Sequence, residues 1–134
     1  MTDKGIVRVE DVMERDYVIV DGVATVAEAL AILREKNGHF LIVAKRHPDD
    51  EYGMVMVADI AKQVLARNRS PERTNVYEIM SKPVLSVKPE MDIRYCARLF
   101  HRFGISAAPV IQGGKVEGIV AYDQLVLKGL AGQL

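Results

Sequence analysis

Side chains able to do chemistry are few in this chain, and their spacing argues against catalysis. The single cysteine, Cys96, falls on the apolar stripe of a helix, with Phe100 one turn later. A reactive thiol needs an electropositive, accessible setting, so Cys96 reads as a small buried hydrophobe. His39, His47 and His101 have no spacing typical of a metal site. No nucleophile–base pair is present, and GGKVEG at 113–118 is a hairpin turn and strand rather than a phosphate loop. Arg67, Arg69, Arg73 and Arg102 form a basic concentration that can screen a polyphosphate; the run RNRSPERTN at 67–75 reads more simply as a solvated linker. Two aspartates remain, Asp59 and Asp123, each where an apolar strand runs into a helix. A carboxylate there caps orphan N–H groups, and it can also accept two hydroxyl hydrogen bonds at once.

The elements that must position these groups occur twice. Residues 9–20, VEDVMERDYVIV, return at 76–87 as VYEIMSKPVLSV, and the match runs at an offset of 67 without a gap to Val43 and Val110. Such self-similarity indicates a symmetric two-lobed body with related clefts. Each copy opens with a short amphipathic segment (Val9–Met13, Val76–Met80) and a strand (Tyr17–Val20, Val84–Val87). The next helix of the first copy starts at a capping box, Thr25-x-x-Glu28, and carries Val26, Ala29, Leu30 and Leu33 on one stripe. Asn37-Gly38 stops it; in the second copy Asp92 caps, Ile93, Cys96, Ala97 and Phe100 repeat the stripe, and Gly104 stops. Strands then follow at Phe40–Ala44 and Ala108–Ile111, and after a turn at Met54–Val57 and Val116–Ala121. The second turn is the tight Gln112-Gly113-Gly114-Lys115, suited to a two-residue hairpin, whereas the first is a charged loop, 45–51, longer by three residues. Closing helices are expected over Ile60–Asn68 and Gln124–Leu130, with Asp59 and Asp123 as their caps. The order is strand, helix, strand, strand, helix, twice, which makes the fold α+β.

Composition narrows the function classes. Hydrophobic residues make up 49% of the 134 and charged residues 27%, ordinary values for a soluble domain. Lys plus Arg and Asp plus Glu number 18 each, so no net field recruits nucleic acid or anionic lipid. A lone cysteine excludes an internal disulfide and a zinc cage. The start, MTDKGIVRVEDVMERD, lacks the apolar core of a signal peptide, and no apolar run is long enough for a bilayer. A cytoplasmic protein without membrane insertion is the expectation.

The order of elements, the paired Val/Ile-Met openings and the closing strand ending in Asp resemble the tandem cystathionine β-synthase (CBS) domain pair. The resemblance covers about residues 6–131, with one repeat at 6–69 and the other at 70–134. It implies two β-α-β-β-α repeats packed through their sheets with pseudo-twofold symmetry. It also implies clefts for AMP, ADP, ATP or S-adenosylmethionine as regulatory ligand with no required cofactor, and frequent homodimers. The family signature is Gly, apolar, any residue, Thr or Ser, two of any kind, then Asp, with Asp on the ribose and the hydroxyl on the phosphate. The first copy reads GMVMVAD at 53–59, with Met56 at the hydroxyl position; the second reads GIVAYD at 118–123, one residue short. Asp59 and Asp123 are thus candidate ribose contacts, each of which can equally be a helix cap. By the same resemblance Tyr17, His39, Phe40, Met56, Val84, Ser106, Ala107 and Ala121 are secondary cleft positions. A protonated His39 can partly replace the missing hydroxyl, or be a solvated residue past a helix stop. Met54 and Met56 share a strand face and read as core before an adenine slot. The functional expectation is a stand-alone regulatory module, not an enzyme, that senses an adenosine-containing metabolite and signals to an unknown effector protein. The alternative is a dimerisation or interaction module with degenerate, non-binding clefts; if one cleft alone binds a nucleotide, the one with Asp59 is expected to be it.

Overall fold

The computed structural model describes residues 5–36, 38–82 and 85–134, so Asn37, a proposed helix stop, and Val84, a proposed cleft residue, lie outside the described residues. The order of elements is α1 (Val9–Val12), β1 (Ile19–Val20), α2 (Val26–Lys36), β2 (Phe40–Val43), β3 (Gly53–Met56), α3 (Val57–Ile60), α4 (Ile93–Phe103), β4 (Ala107–Gln112) and β5 (Lys115–Ala121). α3 continues as a π-helical segment, Ala61–Leu65, and the chain closes with another, Gln124–Leu130, and a 3-10 turn, Ala131–Gln133. A 3-10 turn at Val76–Glu78 opens the second copy.

The chain forms two compact units, 18–84 on one side and 1–17 with 85–134 on the other. The unit boundaries differ from the sequence copies in one respect: the opening segment of each copy is built into the unit formed by the other copy. In the 18–84 unit, Val76 N–H donates to Ala24 O at 2.8 Å, and Met54 and Ser81 exchange backbone bonds. In the other, Val9 N–H donates to Met91 O at 2.8 Å, and Glu14 and Ile119 exchange the corresponding pair. Val9 and Val76 are fully buried, each contributing about 1.5–3 kcal/mol as an upper estimate.

The signature glycines have a packing cause in this arrangement. A Cβ on Gly53 would stand 2.6 Å from Met80 Sδ, and a Cβ on Gly118 would stand 2.6 Å from Glu14 O and 3.1 Å from Met13 Sδ. Each glycine makes room for the methionine that opens the opposite copy.

In the 18–84 unit the sheet runs β1-β2-β3, parallel then antiparallel. Leu41, Val43 and Val55 face the α2 side, packing with Val26, Ala29 and Leu33; alternation puts Ile42 and Met54, both buried, on the other face. In the second unit β4 and β5 pair antiparallel, and Val87 adds a parallel bridge to Val110. Its core gathers Val9, Val12, Met13, Cys96, Phe100 and Leu125.

The helix signals behave as their chemistry requires. Glu28 N–H donates to Thr25 Oγ1 at 3.1 Å while Thr25 N–H donates to Glu28 Oε1 at 3.0 Å, completing the capping box. Asp92 accepts Arg94 N–H at 2.8 Å, and Gly104 ends α4 with φ 65°. Gly113 and Gly114, with φ of 61° and 78°, make the tight hairpin turn. The stretch expected as a solvated linker is exposed at Arg67, Asn68, Ser70, Glu72 and Arg73 but anchored at its end: Thr74 is buried, and the carbonyls of Thr74 and Pro71 accept the Val26 and Ala27 N–H groups. These donors belong to the first turn of α2 and have no partner within the helix, so the segment supplies one.

Candidate functional site

The antiparallel hairpins fix which residues of the two copies are equivalent. Phe40 lies opposite Met56, and Ala107 lies opposite Ala121. Gly53 pairs with Val43 as Gly118 pairs with Val110. The offset between equivalent residues therefore falls from 67 (Phe40 to Ala107) to 65 (Met56 to Ala121) across the hairpin loop. Two further bonds repeat this relation: Val57 N–H donates to His39 O at 2.9 Å, and Tyr122 N–H to Ser106 O at 3.2 Å.

The consequence falls on the aspartates. Asp59 is the third residue of α3, and its Oδ2 accepts the Met56 N–H at 2.8 Å. Three positions before the corresponding place in the second unit, no residue is missing: Ala121 stands where Met56 stands. The place of Asp59 is taken by Gln124, whose Oε1 accepts the Ala121 N–H at 2.8 Å. Asp123 occupies the position of Ala58; it is exposed and makes no side-chain cap bond. The shortened signature expected from the sequence is thus an intact one with Gln for Asp. The cap expected of Asp123 is made by its neighbour, because Asp123 already has helical backbone angles, φ −56° and ψ −49°. Glutamine carries no charge to mark Gln124 in the sequence; its spacing from Gly118, equal to that from Gly53 to Asp59, is the signal that finds it.

At one end of the 18–84 sheet the structure brings together His39, Phe40, Met56 and Asp59. Phe40, Met56 and Asp59 are half-buried, and His39 is exposed. Asp59 Oδ1 makes no hydrogen bond among the described residues, which leaves one carboxylate oxygen for a ligand hydroxyl. At the matching end of the second unit stand Ser106, exposed, with Ala107 and Ala121, buried, and Gln124, half-buried. Tyr122 is held there by an edge-on contact with Phe100, ring centroids 5.4 Å apart. A carboxamide offers a donor and an acceptor but no charge, so the two ends differ in chemistry although they share a backbone. Tyr17 is placed in the second unit, where its hydroxyl donates to Val116 O at 2.8 Å.

The other candidates are accounted for locally. Arg69 pairs with Glu78 at 2.7 Å and Arg67 donates to Gln63, so these two arginines are engaged within their own unit. Burial pushes the Cys96 thiol up to about 11, which keeps it protonated and inert at neutral pH. Among the described residues no cluster of His, Cys, Asp or Glu is placed to hold a metal, and no helix is long and apolar enough to cross a membrane.

The family model for the CBS domain matches residues 9–66 and 76–128. The hexameric CBS-CP12 protein from bloom-forming cyanobacteria is 40% identical with a TM-score of 0.90, over 92% of this chain and 72% of that one. The CBS domain pair of protein MJ0100, in complex with 5′-methylthioadenosine and S-adenosyl-L-methionine, is 24% identical with a TM-score of 0.81, over 96% and 99% of the two chains. Protein MK0525 of Methanopyrus kandleri is 26% identical over 121 residues, 90% of this chain and 61% of its own length. Three curated relatives are spanned by the chain to 61%, 41% and 23% of their lengths. With both sequence copies matched, and the paired sheet-helix units in place, the chain belongs to the CBS domain family.

Proposed function

We propose that this CBS domain pair is a regulatory module, not an enzyme, that binds an adenosine-containing metabolite through Asp59 and passes its occupancy to an effector protein. The observation that carries the reading is the convergence of Phe40, Met56 and Asp59 at one sheet end, with one Asp59 oxygen uncommitted. Asp59 would accept a ribose hydroxyl, Phe40 and Met56 would flank the base, and His39 would approach the phosphate. In the second unit Asp123 is the ribose group expected from the sequence, and Gln124 stands in the place of Asp59; we assign this end the weaker affinity. A homodimer in the cytoplasm is the proposed working state. The relative MJ0100 was solved with 5′-methylthioadenosine and S-adenosylmethionine, which puts those compounds beside AMP, ADP and ATP among those to test.

A second reading is favoured by Met56: with a thioether where the family carries a hydroxyl, the clefts can serve an interaction module that binds no nucleotide. Thermal shift separates the two. At about 100 times the dissociation constant a ligand stabilises by about 2.7 kcal/mol, a clear rise in Tm. No rise with any of the five compounds at millimolar concentration would leave the interaction module as the surviving reading. If one raises Tm, Asp59→Ala should lower its affinity most, and Asp123→Ala and Gln124→Ala identify the group used at the second end.

A further inference from the structure

A cavity of about 360 Å³ lies in the 18–84 unit at the end of the sheet opposite Asp59. It opens where β1 and β2 finish, with Val43 and Met80 on its apolar side and Asp21, Arg46, Tyr77 and Lys82 among its walls. The volume is in the range of small-molecule sites, about 300–1,000 Å³. We propose that this cavity binds a small organic anion, a carboxylate or phosphate on an apolar or aromatic body, with Arg46 as the anion contact.

The hydrogen bonding leaves one cation uncommitted. Lys82 is paired with Asp50 at 2.7 Å, and Asp21, the acid of the same wall, is held by the Val23 N–H at 3.0 Å rather than by a cation. The Arg46 guanidinium, in contrast, makes no hydrogen bond or ion pair among the described residues. Its planar fork matches a carboxylate or phosphate. Tyr77, half exposed, adds a ring beside the apolar side, and its hydroxyl also has no partner among the described residues.

The loop that carries Arg46 is fixed in advance. Asp50 Oδ2 accepts both the Arg46 N–H at 2.8 Å and the Lys82 ammonium at 2.7 Å, and Asp50 N–H donates to His47 O. Only 13% of the Asp50 side chain is exposed, and the Lys82 bond, followed by the backbone N–H bonds, holds its carboxyl well below the usual range. Lys45 lies 5.0 Å from the Tyr52 ring centroid, a further tie on the same loop. The second unit has different chemistry at the equivalent positions: Gly113-Gly114 closes its hairpin, and the positions of Asp21, Tyr77 and Lys82 are Lys88, Glu10 and Arg15. The polar set is therefore particular to one unit rather than a product of the duplication.

The test is amide-resolved NMR of the full chain, titrated with benzoate in one arm and phenyl phosphate in the other. The expected result is saturating shifts at Gly22, Val23, Ala44 and Tyr77 in at least one arm, and the arm with the higher affinity names the anion. Arg46→Ala should weaken that binding by about tenfold or more, the loss of one charge-assisted bond. Arg46→Lys should recover part of it, and Asp59→Ala should leave it unchanged. Shifts that fail to saturate in both arms, that centre on His39 and Met56, or that persist in Arg46→Ala would overturn the assignment. Because the probes contain no ribose, this outcome is independent of nucleotide binding at the Asp59 end.

Discussion

The two hairpin ends, Phe40–Met56–Asp59 and Ala107–Ala121–Gln124, have the same backbone pairing and different chemistry. In both, the residue three positions past the strand's end turns back to accept the N–H of the last strand residue. A carboxylate and a carboxamide do that structural task equally well, so the fold does not require Asp59 to be acidic. What the fold leaves undetermined is free to serve binding. The comparison teaches that the cap fixes the backbone without fixing the charge of the capping residue, and that only the 18–84 unit has a carboxylate at that position.

The largest effect is expected at the signature glycines, which the same comparison sets apart. A methyl at Gly118 meets the Glu14 carbonyl, which is backbone in a paired bridge, whereas a methyl at Gly53 meets the end of the flexible Met80 side chain. Gly118→Ala should cost about 2–3 kcal/mol and Gly53→Ala about 1 kcal/mol, read as denaturant midpoints at constant slope. Equal losses would show that the opening segments yield alike and that the two units do not differ in this way.

Smaller effects are expected at the two helix starts. Thr25→Ala removes the acceptor for Glu28 N–H and Asp92→Ala that for Arg94 N–H, each about 1 kcal/mol. Asp92 has a signature in pH as well. Its bonds from Arg94, side chain then backbone, lower its carboxyl below the ordinary 3.8. A lowered folded-state value means stability that is complete above 3.8 and lost as pH falls through the folded-state value. Asp92→Asn should therefore show a shallower loss between pH 4 and pH 2 than the parent, by urea denaturation at each pH. A parallel decline would contradict the assignment of that acid sensitivity to Asp92.

Much of this was legible in the sequence because it rests on local chemistry. Thr25 with Glu28, Asp92 with Gly104, and Gly113-Gly114 each specify a cap, a stop or a turn within a few residues. The doubled pattern gave the β-α-β-β-α order for the same reason. Three things were hidden. The placement of Val9–Met13 and Val76–Met80 in each other's units depends on contacts far along the chain, which periodicity does not report. The burial of Thr74 depends on the need of α2 for acceptors at its first turn, a demand that a polar run such as RNRSPERTN does not show. The equivalence of Asp59 with Gln124 was masked by Asp123, an acid one position earlier, although the spacing from each signature glycine carries it and the pairing of Ala107 with Ala121 fixes it.

The central claim is that a nucleotide-class ligand depends on the carboxylate at the Asp59 end and not on its counterpart. Calorimetric titration of ATP and of S-adenosylmethionine into the parent chain, Asp59→Asn and Gln124→Ala tests it most directly. Asp59→Asn keeps an acceptor for the Met56 N–H and removes only the charge, so the fold is preserved while the contact changes. The expected result is binding that falls about tenfold or more in Asp59→Asn and is unchanged in Gln124→Ala. Binding that survives Asp59→Asn at full strength, or that is lost in Gln124→Ala, would contradict the account.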